Sequence, residues 1–340
     1  MDFLINLVAD PIVAILAIII GFVLLIYGAG WLVDGASSIA KRYGVSSLVI
    51  GLTVVAFGTS MPEFVVSIIA ATQGNTDIAI TNILGSNSLN VFVILGLSAL
   101  IYPVKSQLQA RRFDIPWSLL AGLLVLFFAV YTRPMNVQWG DFGHFHLTHG
   151  FISGIGGWVL LVFFGIFLWH SFRCAKQTTT DESSTIKDIS SVKSILLIGI
   201  GLAGLMIGGE LIVHSATSLA TQMGVSDAII GLTIVALGTS LPELATSCIA
   251  AAKHNSDMAL GNVIGSNIFN VFFILGTGAV IHPLPTYNGL WLDALMVALS
   301  SLLVMAFVYF TKNHEIKRWH GALLLIIYGI YLSYRIISLP

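Results

Sequence analysis

Ten apolar runs, roughly 11–33, 45–72, 77–101, 113–131, 150–170, 193–214, 225–252, 258–282, 288–310 and 318–337, fill most of this 340-residue sequence. At 1.5 Å rise per residue, about 20 residues of helix cross a bilayer core of about 30 Å. Backbone polar groups in lipid must be satisfied internally, which leaves helices or closed barrels. The runs are continuous, without the short alternation of a barrel strand. The expected fold is therefore an all-α polytopic membrane protein with ten transmembrane helices. Composition agrees: 56% of residues are hydrophobic and 9% are charged, against about 25% charged in soluble domains.

The few charges exclude other classes and orient the chain. With 15 basic and 16 acidic residues there is no basic field to hold nucleic acid. Cys174 and Cys248 form no CxxC pair, so a redox or soft-metal reading lacks support. Asp2 and the absence of Lys or Arg before the first run do not fit the basic start of a cleaved signal peptide. Sorted by the ten spans, 13 Lys and Arg fall on one side of the membrane and only Arg133 and Arg335 on the other. Cytoplasmic loops carry the excess, so both termini are expected outside. Residues 171–192, rich in Thr and Ser, read as a cytoplasmic linker between 1–170 and 193–340.

Those two parts are copies of each other. GLTVVAFGTSMPE at 51–63 returns as GLTIVALGTSLPE at 231–243, and NILGSNSLN at 82–90 as NVIGSNIFN at 262–270. Aligning 44–103 on 224–283 without a gap gives 34 identities in 60 positions. Five spans separate equivalent helices, so the second five-helix repeat is expected to cross the membrane inverted. An inverted repeat allows a central site to open alternately to either side, which suggests a carrier.

The repeated motif places chemistry at membrane depth. Pro62 and Pro242 each remove a backbone donor and crowd the carbonyl four residues earlier, so each helix should break there. Glu63 and Glu243 follow directly. A charge at a helix centre costs about 2.5–3.5 kcal/mol on insertion scales, and a cation would offset that cost. Thr59 and Ser60 lie four and three residues before Glu63, as Thr239 and Ser240 do before Glu243, and so share its face. Asn82, Ser86 and Asn90 form a polar stripe on the neighbouring helix, repeated by Asn262, Ser266 and Asn270. Gly85 and Gly265 are expected to admit another helix closely. Oxygen ligands without imidazole or thiolate suit hard cations. Polar residues also join helices without binding an ion, an alternative with most force for the Ser and Asn positions.

These residues resemble the two alpha-repeats of the calcium/cation antiporter superfamily, whose signatures are GTS-x-PE and GN-x-x-GSN-x-x-N. The resemblance covers essentially the whole chain. It implies exchange of Ca²⁺ for Na⁺ in a multi-pass cell membrane protein, with H⁺ or K⁺ involved in related branches and no cofactor. It also implies that Glu63 and Glu243 ligate Ca²⁺ with the carbonyls of Ala56 and Ala236. Thr59, Ser60, Ser86, Thr239, Ser240 and Ser266 would help form Na⁺ sites, and Asn90 and Asn270 would line the centre. Two departures stand out: some relatives have Asp at one of the two positions held here by Asn90 and Asn270, and Thr81 replaces the usual Gly before Asn82.

Other readings are weaker. A Ca²⁺/H⁺ exchanger would use the same two glutamates. A passive channel favours rings of like groups around a pore, and no His, Cys or Lys joins the buried acids to make an enzyme's catalytic set. His144, His146 and His149 with Asp141 read as a solvated loop. Asp77 and Asp257 read as helix caps, Trp291 and Trp319 as interfacial anchors. Asp34 and Glu210 should lie near the inner and outer ends of their spans, as interfacial residues or gate contacts.

Overall fold

Residues 10–131, 150–174, 189–224, 236–285 and 290–337 are described by the computed structural model, and most of them are helical. The first helix, α1 (Pro11–Tyr43), starts where the Asp10 side chain accepts hydrogen bonds from the backbone of Ile12 and Val13, with Pro11 in the first turn. It stops at Gly44, which takes the left-handed conformation at φ 63°, open to glycine without a Cβ penalty. Lys41 and Arg42 occupy its last turn, where the helix dipole favours cations.

At 33 residues α1 outlasts the expected run 11–33 by ten positions. The polar sequence after Val33 misleads, because its small residues still pack on a second long helix, α7 (Ser191–Gln222). The two helices run antiparallel with backbones in contact. A Cβ on Gly201 would lie 2.7 Å from the Gly28 carbonyl oxygen, and one on Gly35 would lie 2.7 Å from that of Ser194. Helices of about 50 Å exceed the bilayer core and must tilt.

The second span is broken. α2 (Ser47–Thr59) and α3 (Met61–Thr72) meet at 49°, with Ser60 between them and Pro62 in the first turn of α3. The expected break is there, and α2 also contains a widened turn over Gly51–Val55. The repeat follows suit: α8 (Ala236–Thr239) and α9 (Leu241–Ala252) flank Ser240. Residues 225–235 of that expected span lie outside the described residues.

α4 (Thr76–Ile101) and α10 (Ser256–Ile281) form the centre; 78% of each apolar window is buried, against 17% for α12 (Arg318–Ile337). Both contain a widened turn with i→i+5 hydrogen bonds, over Asn90–Leu95 and Phe269–Leu275. Such turns cluster at functional positions. α5 (Ala110–Val130), α6 (Gly154–Cys174) and α11 (Leu290–Phe310) surround them. Eight of the described helices are long and apolar enough to cross a membrane, and the bent pair α2–α3 makes nine.

Short strands join the two halves at both ends. β1 (Val104–Lys105), after α4, pairs antiparallel with β4 (Glu315–Ile316), before α12. β2 (Gly150–Ile152), before α6, pairs with β3 (Leu284–Pro285), after α10.

Several expectations shift at this scale. The linker 171–192 is shorter, since 171–174 end α6 and 191–192 begin α7; 175–188 lie outside the described residues, as do the His144, His146 and His149 cluster and Asp141. Asp77 and Asp257 are first-turn residues and not caps. The cap of α10 is Asn255, whose side chain accepts from the Met258 backbone at 3.0 Å, while Asp257 bonds Gln107. Trp291 and Trp319 are exposed near helix starts, as anchors would be.

Candidate functional site

The two helix breaks bring Glu63 and Glu243 to one buried place between α4 and α10; they are 1% and 0% exposed. Glu63 Oε1 accepts from Ser240 Oγ at 3.0 Å and from Ser86 Oγ at 3.4 Å. Glu243 Oε1 accepts from Ser60 Oγ at 2.7 Å and from Ser266 Oγ at 3.4 Å. Each break serine thus serves the glutamate of the other copy. The sequence spacing placed Ser60 and Ser240 beside the glutamate of their own helix. The bend at Ser60 turns the hydroxyl away from that face and across the site.

The stripe asparagines hold the breaks in place. Asn82 Nδ2 donates to the Glu63 carbonyl oxygen at 3.3 Å and to Ser67 Oγ at 2.9 Å, while Asn82 Oδ1 accepts from Thr239 Oγ1 at 3.3 Å. Asn262 repeats the set with the Glu243 carbonyl at 3.4 Å, Ser247 at 2.9 Å and Thr59 at 3.1 Å. Amide orientation follows from these partners, because only the NH₂ group can donate to a carbonyl.

At the crossing of α4 and α10 the bonds are reciprocal. Asn87 Nδ2 donates to the Asn267 carbonyl at 3.2 Å, and Asn267 Nδ2 to the Asn87 carbonyl at 3.3 Å. Asn90 Nδ2 donates to Asn267 Oδ1 and Asn270 Nδ2 to Asn87 Oδ1, both at 3.0 Å. This leaves Asn90 Oδ1 and Asn270 Oδ1 facing no donor. Glu63 Oε2 and Glu243 Oε2 are in the same condition, all four atoms being buried without a partner.

Buried polar atoms are nearly always paired. Four unpaired acceptors in one symmetric network, two of them on carboxylates that act on each other electrostatically, make an arrangement suited to a hard cation. Among the described residues no group of three or more His, Cys, Asp or Glu could hold a metal, so the donor set here is carboxylate, amide and hydroxyl oxygen.

The remaining expected ligands fall as follows. The Ala56 carbonyl accepts from Ser60 N at 3.0 Å and from Thr59 Oγ1 at 3.4 Å, so the break does not free it from the helix. Ala236 opens α8. Thr59 Oγ1 donates to Asn262 Oδ1 and Thr239 Oγ1 to Asn82 Oδ1, so each threonine reaches the stripe of the other copy. Gly265 admits α2 as expected, a Cβ there falling 2.6 Å from the Leu52 carbonyl oxygen; Gly85 has no described atom close by. Ser67, Ser247, Asn87 and Asn267 belong to the site and were not singled out from sequence. Their signal was available: each pair obeys the same offset as the glutamates.

Comparison with known proteins places the chain in a family. The family model described as sodium/calcium exchanger protein matches residues 13–173 and 193–337. The chain is 37% identical over 317 residues to the putative antiporter CaxA of Alkalimonas amylolytica, covering 92% of this chain and 96% of that one. It is 32% identical over 341 residues to the sodium/calcium exchanger MaX1 of Methanosarcina acetivorans, covering 93% and 97%. A solved structure of the sodium-calcium exchanger NCX_Mj, soaked with Na⁺ and Sr²⁺, superposes with a TM-score of 0.78 at 35% identity, covering 95% of this chain and 99% of that one. With full-length matches to a family model, to antiporters and to an exchanger structure, this chain is a multi-pass membrane protein of the sodium/calcium exchanger family, within the calcium/cation antiporter superfamily.

Proposed function

We propose that the protein is a secondary antiporter that exchanges Ca²⁺ for Na⁺ at the site built on Glu63 and Glu243. The observation that carries the reading is the set of four buried, unpaired acceptor oxygens, Glu63 Oε2, Glu243 Oε2, Asn90 Oδ1 and Asn270 Oδ1. Two carboxylates balance one divalent ion, and Ca²⁺ takes about 6–8 oxygens at flexible geometry. The hydroxyls of Ser60, Ser240, Ser86 and Ser266 now donate to the carboxylates; rotated, each offers a lone pair instead. The same oxygens then serve Na⁺ when Ca²⁺ leaves.

The chain is read as ten transmembrane helices in two inverted five-helix repeats, with the Lys- and Arg-rich side in the cytoplasm. Alternating access follows from motion of α1 and α7 against the rest. Their glycine-lined contact is backbone on backbone, and Lys253 fastens the inner half of α1 through Asp34 and the Gly30 carbonyl.

The test is transport of labelled Ca²⁺ into reconstituted vesicles under an imposed Na⁺ gradient, an imposed pH gradient, or neither. Flux coupled to Na⁺ alone is expected. Coupling to pH alone would select a Ca²⁺/H⁺ exchanger, and fast uncoupled flux a channel. Glu63→Gln and Glu243→Gln should each weaken Ca²⁺ more than the ~10–100-fold lost with an outer-shell partner. Normal transport by both variants would remove the site assignment.

A further inference from the structure

Beside the site lies a cavity of about 260 Å³, bounded by the two break prolines, Pro62 and Pro242, and by Thr239. From there its lining follows α3 to Val66 and α7 through Glu210 to His214, toward the helix ends assigned above to the outer side. Glu210 sits one residue after Gly209, where an added Cβ would come within 3.8 Å of the Gly238 carbonyl. The carboxylate therefore stands at the depth of the α8–α9 break. A charge at that depth faces a wet cavity or a partner and not lipid. Glu210 and His214 form no hydrogen bond or ion pair among the described residues.

The inverted repeat supplies the contrast. At the common offset Glu210 corresponds to Gly30, His214 to Asp34 and Gln73 to Lys253. On the inner side the lysine closes the gap: its Nζ donates to the Gly30 carbonyl at 3.0 Å and pairs with Asp34 at 2.5 Å. On the outer side there is no lysine, and the position of the plain glycine holds a carboxylate that lines a cavity. The duplication was thus kept for the ion site and abandoned at its two approaches.

We propose that Glu210 is the cation-recruiting group of the outer approach: it holds an incoming cation in the cavity beside Thr239 and sets the apparent affinity for cations entering from outside. The proposal takes sidedness and the central site from the antiporter reading. A carboxylate in a low-dielectric mouth concentrates counter-ions, and Glu210 is the only acid among the described residues of the cavity lining.

Two measurements test it. The first does not depend on transport. Val66, 36% exposed on the opposite wall, is replaced by Cys in a Cys174→Ser, Cys248→Ser background. Cationic and anionic membrane-impermeant thiosulfonate reagents are then added from the outer side of sealed vesicles. The cationic reagent should react faster, and Glu210→Gln should lower the cation-to-anion rate ratio about threefold to tenfold, the low end of electrostatic focusing. Repeating the comparison with His214→Gln removes the imidazole from the result. The second is Ca²⁺ transport with the wild-type thiols. Glu210→Gln should raise the outer half-saturation concentration about threefold to tenfold and leave the maximal rate and the inner half-saturation unchanged. An unchanged ratio, labelling only from the inner side, no labelling at all, or equal shifts on both sides would each overturn the proposal. If the wild type does not move Ca²⁺ under any gradient, the exchange reading falls, while the rate ratio still decides the role of Glu210.

Discussion

Four asparagines show how one residue type divides its labour at this site. Asn87 and Asn267 spend both ends of their amides on the opposite copy, whereas Asn90 and Asn270 spend only the NH₂ and leave an oxygen without a partner. Replacing Asn267 by Ala would strip partners from the Asn90 amide and the Asn87 carbonyl. Each unsatisfied buried group costs about 1–3 kcal/mol, so the apparent Tm in detergent should fall clearly, and Asn87→Ala should lower it by a similar amount. A large drop for one and none for the other would contradict the reciprocal pairing. These residues sat in plain view in the repeated GSN motif. They carried no signal of rank, since an asparagine that joins helices through its whole amide and one that leaves its oxygen unpartnered are the same letter until the crossing is known.

Among the elements, the α1–α7 pair rests on glycine where the backbones touch. Gly201→Val would place its side chain against the Gly28 carbonyl and the Leu32 backbone, and overpacking of this kind costs about 1–3 kcal/mol. Gly199→Val, on the same helix with nothing within 4 Å, is the matched control. The first variant should lose apparent Tm and transport, and the second should keep both; equal effects would mean that helix propensity and not the contact is responsible. The breaks at Ser60 and Ser240 were foreseeable from Pro62 and Pro242, because the missing donor is a property of the residue itself. The direction of each bend was not, since it depends on what receives the serine.

For the molecule as a whole, the two copies share one site through bonds between residues 177–183 positions apart. Glu63→Gln and Glu243→Gln should therefore cost similar amounts in Ca²⁺ affinity, and the double variant less than their sum, because residues that act as a unit are not additive. Full additivity, measured by labelled Ca²⁺ binding to purified protein, would mean two separate sites.

The sequence by itself determined that the chain lies in a membrane, that it is duplicated, and that one pair of acids, Glu63 and Glu243, occupies equivalent places at membrane depth. These follow from run length, from self-similarity and from the cost of a charge in lipid, none of which needs a packing partner. Only the tertiary structure decided that each serine serves the other copy's glutamate, that Asn87 and Asn267 lock the centre, and that Lys253 closes on α1 while Glu210 lines a cavity. Those facts depend on where helices from opposite halves cross, and helical spacing along one segment contains no information about the segment that meets it.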